Sequence, residues 1–468
     1  MKMLWLGIAG MALALLLSIV PHTLYVDEVP DKTEQTETLP TIQEALKAAK
    51  RGDVIMVIRH TKENVTVTKS VKIISAGGAR ATVEAADASR PVFTIRARGV
   101  EIRELIITGG AVGIQLEDTK RVRIIHNQIT QNSQYGIRAT RSERNIFVEN
   151  EIADNGIAGI HLDGSAANIV ARNRLKANSI GLQLNSSQSN KMEANTFELN
   201  REAGLSLDSS KANTLQTNQL QNNQAGILMH NSPNNLLRAN KLMNHKQPFR
   251  VWGEIAEAFQ QDLDPTNTID GRPIYYLVGV EGVTISQKHN LNSITLINCR
   301  NITVDGVTLS GGAEGILLIN THDSTIKNSN INGVGTGIRL WKSTGNTVEG
   351  NRIFEIKENG ISLLESNGNT LTENEVIGSP NYGILLSSSK GNTLKANRVL
   401  KNQVGIYLEK AEANIISGNT VAENNFGNYL VESMANTITE NEFQDNRRMA
   451  VGGSLAGNQV QENEGGEK

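Results

Sequence analysis

The tetrad Gly113-Ile114-Gln115-Leu116 recurs in altered form as Gly136-Ile137-Arg138-Ala139 and again as Gly159-Ile160-His161-Leu162. Each copy places a glycine before an apolar, a variable and a second apolar residue, and successive glycines lie 22 or 23 residues apart. Further copies begin at Gly181, Gly204, Gly226, Gly315, Gly337, Gly360, Gly383, Gly405 and Gly427. A motif that recurs at so regular a spacing indicates a solenoid of stacked repeats.

The residue pattern inside each repeat is that of β-strands. Apolar residues alternate two apart, isoleucine and valine are abundant, and no helical stripe runs through the repeat. A period of 22 or 23 residues accommodates three short strands with turns between them. We therefore predict an all-β fold, a single-stranded parallel β-helix whose coils pair through their backbones.

Asparagines form a second marker in phase with the tetrads. The pattern Asn-(Thr/Ile)-x-x-x-Asn follows about nine residues after each glycine, as at Asn168 with Asn173 and Asn346 with Asn351. We expect the tetrad glycines to adopt positive φ at sharp turns, and the asparagines to tolerate the left-handed conformation. Stacked asparagine side chains should hydrogen-bond into ladders, so we interpret them as structural rather than as sugar ligands.

Composition excludes several classes of function. The chain has 468 residues, a formal charge of −2, 4% aromatic residues and one cysteine. A near-neutral charge and few aromatic rings argue against a nucleic-acid partner. A single cysteine, Cys299, excludes an intrachain disulfide framework and a lipoprotein anchor near the N-terminus.

The N-terminus predicts export. Lys2 precedes an uninterrupted apolar run from Leu4 to Val20 that stops at Pro21. We assign residues 1–26 to a signal peptide or signal anchor and the polar residues 27–39 to a linker. The protein is then periplasmic or extracellular, with membrane contact through this segment only.

The rest of the chain divides around one interruption. We assign 40–244 to the N-terminal part of the β-helix, 284–463 to its C-terminal part and 464–468 to a polar tail. A capping helix is expected at 41–50, because Thr41-Ile42-Gln43-Glu44 is a capping box. Such a helix would cover the exposed strand edges at the start of the solenoid.

Residues 245–283 form the predicted central excursion, where the repeat is interrupted. Asp264-Pro265 and Asp270-Gly271 are turn signals. Aromatic residues are concentrated here, namely Phe249, Trp252, Phe259, Tyr275 and Tyr276. Phe249, Trp252, Tyr275 and Tyr276 are a candidate docking surface; the alternative is a small satellite core that pins a long loop.

A row of polar residues follows the tetrads of the first half. The third tetrad residue and the residue after the tetrad should both point outward, which aligns Arg138, His161, Asp163 and Asp208 on one face. These four are candidate ligand contacts and could supply a base, a cation and an acid. The alternative is a solvated face of mixed charge.

Copper would favour clustered methionine and histidine. Met229, His230, Met243 and His245 are close in sequence and form a candidate metal site. The alternative is surface histidines beside packed methionines.

The sequence also resembles known families. Thr41-Ile42-Gln43-Glu44-Ala45 and Glu63-Asn64-Val65-Thr66-Val67 resemble the opening of carbohydrate-binding and sugar-hydrolase (CASH) β-helix domains. The Asn-Thr-x-x-x-Asn coils, together with Asn267-Thr268-Ile269-Asp270-Gly271-Arg272-Pro273, resemble the NosD-type periplasmic copper-binding β-helix proteins. This resemblance implies a right-handed β-helix. It also implies copper as a ligand and a role in maturing the periplasmic copper enzyme nitrous oxide reductase, beside an ABC transporter.

Two functions follow. The first is a non-catalytic binding or accessory module with a membrane transporter or periplasmic cuproenzyme as partner. The alternative is a protein that binds or modifies polysaccharide as a lyase, epimerase or hydrolase, with the row around His161 and Asp163 as its site.

Overall fold

A computed structural model describes residues 21–27, 38–286, 291–448 and 450–465. The apolar run at Leu4–Val20 lies outside these residues, as do most of the expected linker and residues 466–468 of the expected polar tail. Within the described residues we find no helix with the length and apolarity of a membrane span. The chain divides into two compact units, residues 1–191 and 192–468.

Three strands and three turns make one coil in both units, which confirms the predicted all-β, right-handed parallel β-helix. We name the strands by their order: a first short strand, a second short strand and a long strand that carries the tetrad. Most strands pair in parallel with their equivalent 22 or 23 residues later, for example Ile137 with Ile160. The backbone N–H and C=O groups of the strands are thereby hydrogen-bonded between neighbouring coils.

In the first unit the first short strands are Thr23–Val26, Thr38–Leu39, Val54–Val57, Lys72–Ser75, Glu101–Arg103, Arg123–Ile125, Ile146–Val148, Ile169–Ala171 and Lys191–Glu193, the last of which reaches the unit boundary. The second short strands are Thr61–Lys62, Thr82–Glu84, Ile106–Thr108, Gln128–Thr130, Glu151–Ala153 and Arg174–Lys176. The long strands are Val65–Val67, Phe93–Ile95, Val112–Glu117, Tyr135–Thr140, Ala158–Asp163 and Ile180–Asn185.

In the second unit the first short strands are Thr214–Gln216, Leu236–Arg238, Asp262–Leu263, Thr284–Ser286, Thr303–Asp305, Thr325–Lys327, Thr347–Glu349, Thr370–Thr372, Thr393–Lys395, Ile415–Ser417, Thr437–Thr439 and Gln459–Gln461. The second short strands are Thr196–Glu198, Gln219–Gln221, Lys241–Met243, Thr268–Ile269, Thr308–Ser310, Asn330–Asn332, Arg352–Phe354, Glu375–Ile377, Arg398–Leu400, Thr420–Ala422 and Glu442–Gln444.

The long strands of the second unit fall into two sheets. The early sheet contains Ala203–Asp208, Ala225–His230 and Gln247–Trp252. The late sheet contains Arg272–Val278, Ser293–Ile297, Glu314–Ile319, Thr336–Trp341, Ile361–Leu364, Tyr382–Ser387, Val404–Glu409, Phe426–Val431 and Val451–Gly453. Behind the late sheet a continuous apolar core extends from Ile285 to Phe443.

One α-helix, Ile42–Ala48, lies at the beginning of the first unit, where a helix was expected at 41–50. The Thr41 hydroxyl accepts from the Glu44 backbone N–H at 3.1 Å, as the capping box predicts. The free N–H groups of Ile42 and Gln43 instead donate to the carboxylate of Glu63. The fold also begins earlier than the expected boundary at residue 40, because Thr23–Val26 pairs with Val54–Val57.

The asparagine ladders form as predicted. Asn127 Nδ2 donates to Asn150 Oδ1, and Asn150 Nδ2 donates to Asn173 Oδ1, both at 3.0 Å. The expected left-handed conformation, however, belongs to the residue before each asparagine, as at His126 and Glu149. The asparagine satisfies the backbone groups that such a corner leaves unpaired inside the core.

The prediction for the tetrad glycines is wrong. Gly136 lies within a long strand and does not have positive φ. A Cβ at this position would lie 2.6 Å from the carbonyl oxygen of Gly159 and 2.6 Å from Cγ2 of Ile152. The glycine is required because neighbouring coils approach closely, not because the backbone turns.

Candidate functional site: a cleft where the long-strand sheet is interrupted

The long strands stop stacking at residue 252. Gln247–Trp252 is the edge strand of the early sheet, and the next long strand, Arg272–Val278, does not pair with it. That strand instead pairs antiparallel with the second short strand Thr268–Ile269 and parallel with Ser293–Ile297. The interruption leaves an opening between the early and late sheets.

A two-residue turn produces this interruption. Asp270 and Gly271 have φ of 48° and 80°, the positive values that a tight hairpin turn of the Asp-Gly type requires. The chain therefore folds back on itself, so that Ile269 faces Arg272. The coil pattern survives up to Thr268–Ile269, and the predicted excursion is the place where one stack of coils ends and the next begins.

The opening is a cleft of about 270 Å³. The early side contributes Pro248, Phe249, Arg250, Val251, Trp252, Gly253 and Phe259. The late side contributes Tyr276, Asn292, Ser293, Thr295, Gly312, Ala313, Glu314, Leu317, Ile319, Arg339, Trp341 and Leu364, and Ile269 completes the lining. A concave, largely apolar cavity with a few polar groups is the usual form of a ligand site.

Aromatic contacts hold the two sides together. The Tyr276 hydroxyl donates to the carbonyl oxygen of Phe259, which ends the 3₁₀ turn Ala256–Phe259. The Phe259 ring lies edge-on to Trp341 with centroids 5.5 Å apart. Burial raises the pKa of Tyr276, so this hydroxyl remains a donor. The predicted satellite core and the candidate docking surface are thus parts of the same structure.

An ion pair lies in the cleft. Arg339 Nη1 is 2.9 Å from Glu314 Oε1, and the two side chains are 29% and 21% exposed. Burial raises the pKa of Glu314 to about 7, although the positive charge of Arg339 opposes the shift. Glu314 Oε2, Arg339 Nε and the side-chain amide oxygen Oδ1 of Asn292 are buried without a hydrogen-bond partner, so these side chains retain unused bonding capacity.

Trp252 forms the rim of the early side. It stacks on His230 with ring centroids 5.3 Å apart, and the Arg250 guanidinium lies 5.1 Å from its ring centroid. His230 Nδ1 lies 2.9 Å from Asp208 Oδ1. The indole is therefore held between a histidine and an arginine at the cleft entrance.

The candidate docking residues divide accordingly. Phe249, Trp252 and Tyr276 line the cleft. Tyr275 pairs in register with Ile294 and packs against the apolar core, so it does not share the surface.

The polar row is partly assembled. Arg138 pairs in register with His161, and Arg138 Nη2 lies 3.8 Å from Asp163 Oδ2. His161 is 5% exposed, stacks on Tyr135 at 5.0 Å, and has no hydrogen-bond partner for either ring nitrogen. Asp208 belongs to the other unit.

The four candidate copper ligands do not face one site. Met229 is fully buried in the core, whereas His230 on the same strand points outward to Asp208. Both ring nitrogens of His245 lie within hydrogen-bond distance of backbone carbonyls, and Met243 is 37% exposed. Among the described residues, no three His, Cys, Asp or Glu side chains come together as a metal-binding group. These residues do not fit the copper site that the resemblance implies.

Sequence reasoning missed part of the cleft. Arg339 is the third residue of its tetrad and Trp341 is the residue after the tetrad, and both positions are expected to point outward. Their place on this surface could therefore be read from the sequence. Glu314 carries no such signal, because only the interruption of the sheet encloses it.

Comparison with known proteins gives two family matches. The family described as "Periplasmic copper-binding protein (NosD)" matches residues 266–464, and "Right handed beta helix region" matches residues 90–242. No curated protein matches the chain.

Solved structures are similar at low identity. A DFA-IIIase from Arthrobacter chlorophenolicus A6 in complex with DFA-III is 14% identical over 76% of this chain and 95% of its own, with a TM-score of 0.41. The A-module of an Azotobacter vinelandii mannuronan C-5 epimerase is 13% identical over 88% and 93%, with a TM-score of 0.29. A GH87 α-1,3-glucanase catalytic domain in complex with nigerose is 15% identical over 80% and 69%, with a TM-score of 0.37.

Likeness at this level says nothing of function. The two family matches, together with the coils themselves, support a right-handed parallel β-helix of the NosD type.

Proposed function

We propose that this chain is an exported binding module and that its ligand enters the cleft between the early and late long-strand sheets. The observation that carries the proposal is the interruption after Trp252, which turns an otherwise continuous side of the solenoid into a lined cavity. A solenoid that served only as a structural rod would be expected to have an uninterrupted long-strand sheet. Five aromatic side chains and an ion pair instead surround the opening.

The chemistry of the lining favours binding over hydrolysis. Glycoside hydrolysis generally uses two carboxyl groups, one on either side of the scissile bond. Of the described residues that line the cleft, Glu314 is the single carboxylate, and Arg339 pairs with it. The cleft therefore supports the accessory role.

Export and partnership are part of the proposal. The apolar run Leu4–Val20 and the family description as periplasmic support an envelope location. An accessory role beside a transporter or a cuproenzyme is what the resemblance to the NosD-type proteins implies, and the matching family is described as periplasmic and copper-binding. The proposed function does not include copper binding at Met229, His230, Met243 and His245, because their side chains do not converge.

Tryptophan fluorescence of the full chain can test the cleft, because Trp252 and Trp341 are two of its three tryptophans. Titration with oligosaccharides, oligopeptides and copper salts should identify a ligand that changes the emission and raises the unfolding temperature. Thr295→Trp, which fills the cleft, should abolish that binding. The matched control Ile415→Trp places the same bulk at a position 46% exposed on a first short strand.

Two outcomes would contradict the proposal. A ligand that binds Thr295→Trp as tightly as the unaltered chain occupies another site. Stoichiometric copper binding that is lost in the His230→Ala and His245→Ala variants would instead establish the metal site that the geometry disfavours.

A further inference from the structure

Two side-chain oxygen atoms of the cleft lining accept no hydrogen bond from any described residue. They are Oε2 of Glu314 and Oδ1 of Asn292, a residue that is 2% exposed. The register that pairs Ile294 with Ile316 puts Asn292 and Glu314 at equivalent positions of neighbouring coils, which lie about 4.8 Å apart. Because a buried acceptor without a donor costs free energy, the two oxygens suit a ligand group that donates several hydrogen bonds.

The two arginines of the cleft differ in how far they are already engaged. Arg339 Nη1 lies 2.9 Å from Glu314 Oε1, and its Nη2 donates to Thr336 Oγ1 at 3.2 Å. Arg250 is exposed and forms no ion pair within the part of the chain that the structure describes. Its guanidinium lies 5.1 Å from the ring centroid of Trp252, at the cleft entrance. Arg250 is therefore the cation that remains available to a carboxylate, which it can bind through two hydrogen bonds.

These groups call for a ligand that carries both charges. When Glu314 is ionised it neutralises Arg339, so the positive charge of Arg250 is left over. A ligand that was only an anion would leave the acceptors of Asn292 and Glu314 without donors. A ligand that was only a cation would bring a second positive charge beside Arg250 without a partner for it. A zwitterion satisfies both ends of the cleft.

The walls and the size of the cleft define the rest of the ligand. Five aromatic rings line it, namely those of Phe249, Trp252, Phe259, Tyr276 and Trp341. Aromatic faces attract an ammonium group and also bury apolar surface well. The cleft volume of about 270 Å³ is slightly below the roughly 300–1,000 Å³ that is usual for drug-sized ligands. The cleft therefore suits one small molecule with an apolar body.

We propose that the cleft binds a zwitterionic α-amino acid with an apolar side chain. The ammonium group, with its three donors, hydrogen-bonds to Oε2 of Glu314 and Oδ1 of Asn292. The carboxylate accepts from Arg250 at the entrance, and the side chain packs among the aromatic rings. The inference rests on the proposed function, because it names the class of ligand that enters the same cleft.

The test begins with the ligand. L-Phenylalanine, L-leucine and L-alanine are titrated calorimetrically into the full chain, and affinity should rise with the apolar area of the side chain. Two analogues of phenylalanine each lack one charge: N-acetyl-L-phenylalanine has no ammonium group and L-phenylalaninamide has no carboxylate. Each should bind at least about tenfold more weakly than phenylalanine, because each loses hydrogen bonds between charged groups.

Variants then assign each charge to its residue. Glu314→Gln should weaken phenylalanine at least about tenfold. Arg250→Ala should weaken phenylalanine by a similar factor but leave the binding of phenylalaninamide unchanged, because the amide has no carboxylate to lose. The matched controls Glu349→Gln and Lys395→Ala alter exposed residues on first short strands and should change neither ligand. Circular dichroism and the unfolding temperature of each variant establish that loss of binding is not loss of fold.

The outcomes separate this inference from the proposed function. If both analogues bind as tightly as phenylalanine, or Arg250→Ala weakens the amide as much as the free amino acid, recognition of the two charges is wrong. The cleft still stands in that case, provided that Thr295→Trp abolishes binding. If no amino acid binds and Thr295→Trp blocks another ligand of the fluorescence titration, the amino-acid assignment alone is overturned. If phenylalanine binds Thr295→Trp as tightly as the unaltered chain, it occupies another site and both proposals fail.

Discussion

Arg339 Nη1 lies 2.9 Å from Oε1 of Glu314, inside a cleft that exists only because the long-strand sheet is interrupted. The carboxyl group is nevertheless held against its ordinary ionisation, because burial raises its pKa to about 7 more strongly than Arg339 lowers it. The cleft therefore contains a group that titrates near neutral pH.

Replacement of Glu314 by glutamine should flatten the pH dependence of stability. The folded chain keeps this proton up to about pH 7, whereas the unfolded chain loses it near 4.5. Stability from this group is thus fully present below pH 4.5 and lost as the pH rises to 7, by at most about 3 kcal/mol. Thermal unfolding of Glu314→Gln and of the control Glu349→Gln, an exposed residue on a first short strand, from pH 4 to 8, measures the difference. If stability depends on pH in the same way in Glu314→Gln and in the unaltered chain, the pKa of this carboxyl group is not raised by folding.

His161 should make the first unit sensitive to acid. Burial lowers its pKa, and Asp163 only partly offsets this. The unfolded chain takes up a proton near pH 6.5 while the folded chain resists it, so stability falls as the pH drops below 6.5. His161→Gln should lessen that loss, and the exposed control His126→Gln should not. Hydrogen exchange of the neighbouring coils as a function of pH reports the effect, and equal acid sensitivity of both variants would rule it out.

Gly136→Ala should destabilise the first unit by about 1–3 kcal/mol, because the added methyl group meets the next coil. The contacts would be 2.6 Å to the Gly159 carbonyl oxygen and 2.6 Å to the Ile152 side chain. Gly78→Ala is the matched control, since nothing lies within 4 Å of its added Cβ. Chemical denaturation of both variants compares them. A neutral Gly136→Ala would mean that the coils can separate enough to admit the methyl group.

Asn150→Ala should cost about 2–4 kcal/mol, since the change removes the acceptor for the backbone N–H and the amide of Asn127. The Ile124 carbonyl would also lose its donor. Asn367→Ala, at an exposed position, removes one surface hydrogen bond and should cost far less. Limited proteolysis and unfolding temperature distinguish the two. Similar losses for both would indicate that the ladder adds little beyond an ordinary surface amide.

Local sequence patterns predicted the coil, its period and its inward and outward positions. Two-residue alternation and a regular spacing suffice because each coil meets only its neighbours, so the fold repeats one local solution. The asparagine ladders were predictable for the same reason. The role of Gly136 was not, because its requirement is the distance to Gly159 in the next coil rather than its own backbone angle.

The site depended on long-range pairing. Asp270-Gly271 is recognisable as a turn, yet only the fold reveals that this turn makes Arg272–Val278 pair with Thr268–Ile269 and leave Trp252 at an open edge. Glu314 becomes a cleft residue because that edge faces it, and no spacing along the chain encodes such an encounter. The sequence by itself determined a parallel β-helix with a concentrated aromatic segment. The tertiary structure alone decided that the segment bounds a cleft, because strand pairing, unlike strand formation, depends on residues far apart in the chain.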